Sequence, residues 1–279
     1  MALALRLTAI VLLLRPMGPW SVRPLILIAA AAALLSPRVL ESQVTWFALT
    51  ALVTVRLIVD WPLPDNHIFL LAYWCFAVAL ALGASNAAAT LAESGRLLLG
   101  LAFLAAVLWK AVLSPEYLDG RFFRVTFLTD DRFADPVRLV GGLTSAELDR
   151  NREILAPLPE GAELLDPPAL IEPPAFAALV RRSTAGLLTA EALLAVAFLV
   201  PFVGRTTLPH VLLIVFAIVT YAFAPVAGFG WLLLSMGVAT CQPGQRWLRA
   251  AYVATWFLVV LYAEVPWASA LAGLMGVAS

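Results

Sequence analysis

Apolar residues run through this chain in long, nearly unbroken stretches, at about 24–36, 44–59, 67–84, 95–114, 184–203, 209–226, 228–240, 250–263 and 266–278. Stretches of that length, apolar on every face, predict helices that cross or partly cross a membrane, eight or nine in all. The opening segment 2–14 carries Arg6 and then a short apolar run. It reads as a signal-like start, an interfacial helix or one more span; with no small-x-small cleavage site before charged sequence, it is expected to be retained.

The pattern changes between 115 and 182, where 12 acidic and 8 basic residues give a net charge of −4. This stretch is expected to be an α+β insertion outside the membrane. Phe123, Val125 and Phe127 alternate with Arg124 and Thr126, which predicts a short strand. Thr144-Ser-Ala-Glu147 has the spacing of a capping box, with Leu143 and Leu148 placed as its hydrophobic staple, so a helix is expected to start there. Asp166-Pro-Pro and Glu172-Pro-Pro predict an extended, polyproline-like return to Arg181-Arg182. The chain thus divides into N-terminal membrane helices (1–114), the insertion as a flap (115–182) and C-terminal membrane helices (183–279).

Composition agrees with the pattern. With 62% hydrophobic and 13% charged residues and a mean hydropathy of +0.93, the chain has too little polar surface to cover a water-soluble globule. An all-α polytopic membrane protein is expected, with the lipid bilayer as solvent and a multi-pass place in the cell membrane. Counted on alternate sides, Arg38, Arg96, Arg205, Arg246 and Arg249 share one end of the helices and the insertion lies at the other. Positive residues favour the cytoplasm, so the insertion is expected on the outer face. Cys75 and Cys241 lie apart in apolar segments and read as packed small hydrophobes rather than a disulfide.

The candidate chemistry begins with one residue. Of 18 basic side chains, 17 are arginine; the single lysine, Lys110, closes an apolar run. A guanidinium does not give up its proton in a protein, whereas a lysine in apolar surroundings is able to act as a base. The same alternation brings His67, Lys110, Glu191 and Tyr221 to the insertion side of the membrane, together with Arg56 and Asp60 at i,i+4 spacing. Each also has a structural reading: Asp65 and His67 as a helix cap, Lys110 as a cation reaching the interface, Glu191 as a buried structural acid, Tyr221 as an interfacial aromatic. No metal constellation, nucleotide loop, Ser-His-Asp order or basic stripe is present in the sequence, so no metal and no nucleic-acid partner is expected.

Asp65-Asn66-His67 at the head of an apolar stretch, then an apolar helix ending in Lys110, then Tyr117-Leu118-Asp119-Gly120, resembles the membrane part of vitamin K-dependent gamma-carboxylase and its bacterial relatives, the horizontally transferred transmembrane (HTTM) domain proteins. Those carry an Asn-Asn-His motif and a lysine followed by Trp-x-x-Gly. Tyrosine stands here for the tryptophan, and Thr220 lies near the place of a later-span histidine. The resemblance covers about residues 60–125 and implies a small bacterial-type member lacking the C-terminal lumenal domain. It further implies a reduced quinone as cofactor, Lys110 as base toward it, His67 as its partner, and Asn66, Asp65, Glu191, Tyr117, Asp119, Gly120 and Tyr221 in support.

Two functions stay open at this point. One is a membrane-embedded quinol- or lipid-dependent enzyme of a carboxylase-like, quinol-oxygenating kind. The other is a non-catalytic protein of the same fold, an assembly partner of another membrane protein or a small-lipid binder, in which Lys110 and Glu191 make a structural contact. The arginine asymmetry is tested with single Ser145→Cys and Gln245→Cys variants exposed in intact cells to an impermeant thiol reagent. Labelling at 145 and not at 245 is expected; the reverse pattern inverts the orientation.

Overall fold

Helix breakers divide the apolar stretches: Pro24 and Pro37 occupy first-turn positions where no amide is needed, and Ser42 and Asn86 cap the helices that follow them by accepting from the Thr45 and Ala89 amides at 3.4 and 3.1 Å. The computed structural model describes residues 1–14, 19–62, 66–157, 169–223 and 228–264, with Leu274 beyond them. The elements before the insertion are α1 (Ala2–Leu14), α2 (Arg23–Leu35), α3 (Pro37–Leu40), α4 (Gln43–Val59), α5 (Asn66–Leu82) and α6 (Ala87–Leu108), which continues as a π-helical turn, Trp109–Leu113. The insertion holds α7 (Pro115–Leu118), α8 (Arg121–Thr129), a single 3₁₀ turn, α9 (Ala134–Gly141) and α10 (Ser145–Ile154). After it come α11 (Pro174–Leu199), α12 (Pro201–Gly204), α13 (Leu208–Phe223), α14 (Phe229–Thr240) and α15 (Arg246–Glu264).

The chain is all-α: no strand occurs among the described residues. Two helical runs, Ala87–Leu113 and Pro174–Leu199, are long and apolar enough to cross a membrane, and six others of 10–17 residues are apolar but shorter. Of the stretch 266–278 only Leu274 is described.

The main core forms around α6, which packs on α5, α11 and α14. Opposite it, α1 is enclosed rather than peripheral. Its Ala4, Leu5, Ala9 and Leu12 are fully buried, and its Thr8 hydroxyl donates to the Ala4 carbonyl while accepting from Trp74 Nε1 at 2.9 Å. Trp46 is satisfied the same way, donating to the Leu40 carbonyl at 2.7 Å. Both indoles thus bury a large apolar area without stranding their N–H. Cys75 and Cys241 are free, buried thiols, and Arg56 pairs with Asp60 at 2.5 Å.

A second core lies in the insertion, where Tyr117, Phe123, Phe127, Phe133, Leu143 and Leu148 close over Phe176, Leu179 and Val180 from the first turns of α11. Here the expected strand, and with it the α+β character of the insertion, is overturned. Residues 123–127 lie in α8. Phe123 and Phe127 fall on one face at both strand and helix spacing, so Val125 is the residue that separates the two, and it is exposed while Leu128 is fully buried. That is a helical face.

The capping box is formed: Thr144 Oγ1 accepts from the Glu147 amide at 3.3 Å, and Glu147 accepts in return from the Thr144 amide at 2.8 Å. Leu143 and Leu148 are both buried in the insertion core, as a staple requires. Asp166-Pro-Pro lies outside the described residues. Around Glu172-Pro-Pro the extended path is short, since Pro173 has polyproline-like angles (φ −56°, ψ 152°) and α11 begins at Pro174, ten residues before the apolar stretch from 184. Asn151 holds this return by bonding both backbone groups of Ile171, at 2.8 and 2.9 Å, and Arg124 pairs with Glu172 at 3.0 Å.

Thr144→Ala removes the side-chain half of the cap and is expected to destabilise the insertion by about 1 kcal/mol. Amide hydrogen exchange reads it directly. Protection over Ser145–Ile154 falls while that of α5 and α6 is unchanged; equal protection in the two proteins would show that the cap carries no stability.

Candidate functional site

Lys110 sits in the π-helical turn that ends α6. A π turn holds an extra residue, shifts the side chains that follow it and is common at functional positions. Here Trp109, Val112 and Leu113 project outward and are exposed, while Lys110 turns toward α11. Ser114 leaves helical angles (φ −128°, ψ 79°) ahead of Pro115, which stops the helix and starts α7. The turn therefore delivers Tyr117 beneath the lysine, whose ammonium nitrogen lies 5.4 Å from the centre of the Tyr117 ring, a cation–π contact.

The ammonium forms an ion pair and hydrogen bond with Glu191 Oε1 of α11. Glu191 is 8% exposed at its side chain and Lys110 19%, so the pair is largely withdrawn from water. The second carboxylate oxygen, Glu191 Oε2, is buried with no hydrogen-bond partner, and so is the Tyr117 hydroxyl. Burial, and secondarily the Glu191 charge, push the Tyr117 phenol above its ordinary range, so it stays a neutral hydroxyl. The arrangement presents one fixed cation, one carboxylate oxygen with free lone pairs and one uncommitted hydroxyl. While its ammonium is bonded to Glu191, Lys110 has no lone pair to offer. The group free to accept a proton is Glu191 Oε2.

The other residues singled out from the sequence divide between structural tasks and separate places. Asp119 is exposed and accepts from the Arg121 amide and Nε at 2.9 and 2.7 Å, holding the start of α8. Gly120 adopts φ +81°, and a Cβ there would meet Val180 Cγ1 at 3.0 Å, so the turn between α7 and α8 needs a glycine against α11. Tyr221 is buried and its phenol accepts from the Gly230 amide, tying α13 to α14. His67 is partly buried in the first turn of α5 with its ring 6.4 Å from that of Phe229. It is not among the partners of the Lys110 ammonium. Asn66 is exposed beside it, and Asp65 lies outside the described residues. Lys110, Glu191 and Tyr117 are thus brought together, and His67 and Tyr221 stand elsewhere.

An apolar groove of about 570 Å³ runs between α4 and α5, lined by Thr50, Thr54, Leu57, Trp61, Tyr73 and Phe76 among others, none of them from the Lys110 cluster. At the far end of α6, sequence reasoning missed a second polar anchor. Arg96 is buried, pairs with Glu93 at 2.6 Å and donates to the carbonyls of Phe198 and Leu199 that end α11. The Glu93–Arg96 spacing of three on an otherwise apolar helix was the available signal. Between the two anchors Gly100 lets the helices touch, since a Cβ there would sit 2.6 Å from Leu199 Cγ.

No family model matches the chain, and neither a curated protein nor a solved structure does.

Lys110→Ala leaves the Glu191 carboxylate buried and uncompensated and is expected to cost about 3–5 kcal/mol. The paired change Lys110→Met with Glu191→Leu recovers most of that loss, because no buried charge remains. Thermal melting of the purified variants reads the coupling. A double variant as unstable as the sum of the single variants would mean that the two side chains do not act on each other.

Proposed function

We propose that this chain is a polytopic protein of the cell membrane whose Lys110–Glu191–Tyr117 cluster binds a lipid-soluble, hydroxyl-bearing molecule of the quinol class, with Glu191 as proton acceptor. The single observation that carries the reading is the pair of buried, partnerless oxygens, Glu191 Oε2 and Tyr117 Oη, beside a fixed ammonium. Such groups cost stability unless something completes their hydrogen bonds. A hydroxyl that both donates and accepts fits the two of them.

The membrane placement is supported by the outer surface. Ile28, Leu35, Val44, Ile58, Phe202 and Leu261 are all exposed, a distribution that water disfavours and lipid accepts. Exposed tryptophans stand at both ends, Trp61 and Trp109 toward the insertion and Trp247 toward the arginines, as interfacial belts do. Helices of 13 residues, about 20 Å long, reach only part of the way across, which suits eight or nine spans and part-spans. By the arginine asymmetry the insertion faces outward.

The choice of a quinol among lipids rests on the resemblance to the gamma-carboxylase and HTTM proteins in Asn66-His67, Lys110 and Tyr117-Leu-Asp-Gly120. A bound quinol supplies an acidic hydroxyl and two electrons. The residues of this chain do the rest. Glu191 Oε2 takes up the hydroxyl proton, Lys110 holds the carboxylate in place and stabilises its charge, and Tyr117 orients the oxygen.

A second reading, favoured by the ion pair itself, is purely structural: Lys110–Glu191 at one end and Arg96 with the α11 carbonyls at the other clamp α6 to α11 in an assembly partner or lipid binder. Quenching of tryptophan fluorescence by reduced menaquinone or ubiquinone analogues, with the protein in lipid nanodiscs, separates the two. Glu191→Gln and Tyr117→Phe are expected to weaken binding about tenfold to a hundredfold, and Lys110→Arg to retain most of it. Quinol binding unaffected by Glu191→Gln and Tyr117→Phe, or absent from the wild type, would leave the structural clamp as the function of the cluster.

A further inference from the structure

The opposite end of α6 opens into a crevice of about 390 Å³ lined by Met1, by the first turns of α6, by Gly204, Arg205 and His210 around the α12–α13 link, and by the end of α14, the α14–α15 link and Arg249 of α15. Four charged side chains line it, Glu93, Arg96, Arg205 and Arg249. Glu93 is committed to Arg96, so the acid and one arginine neutralise each other. Two guanidinium charges remain. Arg249 is fixed in place by donating from Nη2 to the Gln242 and Cys241 carbonyls at 2.8 and 3.2 Å. Arg205 is exposed, and its guanidinium makes no hydrogen bond or ion pair with any described residue.

We propose that this crevice binds a phosphate-bearing anion, either the headgroup of an anionic phospholipid or free phosphate. Three independent features converge on that chemistry. A rigid guanidinium and a free one present forked N–H donors suited to phosphate oxygens. The N-terminal turn of α6, the positive end of a 22-residue helix, lines the same space through Asn86, Ala88 and Ala89. The volume is that of a headgroup rather than of an ion alone, and Phe202, Leu208 and Val211, close in sequence to the lining residues Gly204, Arg205 and His210, are exposed apolar side chains that would suit an acyl chain. Basic pockets between helices at the cytoplasmic face are favourable places for such headgroups. The lipid source rests on the membrane placement proposed above; the anion site itself does not depend on the quinol reading.

The test uses the full chain purified in neutral detergent, with phosphatidylglycerol, phosphatidylcholine or inorganic phosphate added, read by native mass spectrometry and thermal melting. Phosphatidylglycerol is expected to bind and stabilise the protein while phosphatidylcholine does not, and Arg205→Gln is expected to weaken that binding about fivefold. Arg205 is exposed and its guanidinium hydrogen-bonds to no described residue, so the variant is expected to stay folded, and its melting without added lipid checks that. Arg38→Gln, at an exposed arginine of the same end outside the crevice, serves as the control and leaves binding unchanged. If inorganic phosphate stabilises the protein as well as phosphatidylglycerol does, and through Arg205, the ligand is free phosphate. Binding of either that is the same in wild type and Arg205→Gln, or lost equally in Arg38→Gln, overturns the proposal. So does the absence of any binding.

Discussion

A carboxylate in the middle of an apolar helix is the constraint on which this molecule turns. Glu191 has apolar neighbours along α11 and is nearly closed off, and only a nearby cation makes its charge tolerable. Lys110 is placed by the π turn to supply it, and Tyr117, set by Pro115, closes the other side of the ammonium. The turn, the proline break and the Gly120 corner after it read as the means of bringing one lysine and one tyrosine to one acid. The rest of α6 then follows α11 down to Arg96, where the guanidinium uses the open carbonyls at the end of the helix.

Much of the fold was legible because long apolar stretches and caps are local signals. The capping box at Thr144 is complete within four residues and its outcome depends on nothing distant. The strand expected at 123–127 failed for the opposite reason: five residues do not separate a period of two from one of 3.6 when the two phenylalanines are four apart. Exposure of Val125 and burial of Leu128 decided it, and both depend on where α9 and α11 lie. The start of α11 was missed because the polar Arg181-Arg182 pair masks a helix whose first turns are buried in the insertion rather than in the main core.

Of the candidate site, the Lys110–Glu191 contact was open from the sequence as the structural alternative, whereas the places of Tyr117 and His67 relative to it were not. Lys110 and Glu191 are 81 positions apart and meet through helix packing. His67 shares their end but packs on the α14 side, against Phe229, a distinction that alternation across a membrane does not carry. The division of labour within the pair also needed coordinates. Sequence singled out the lysine because it is the one ammonium among arginines; the coordinates add that it is bonded to Glu191 and that the acid keeps a second oxygen without a partner.

The continuity of α11 has a topological consequence. Its first turns contribute Phe176, Leu179 and Val180 to the core of the insertion, and its last turns contribute Leu194 and Phe198 to the main core. Glu191 lies about 16 Å along the same rod from Val180. The two cores are therefore joined by one continuous helix, and Glu191 and the Lys110 turn that meets it are each covalently continuous with the insertion, through α11 and through Tyr117. The ion pair thus closes a loop of chain whose two ends both enter the polar part of the molecule.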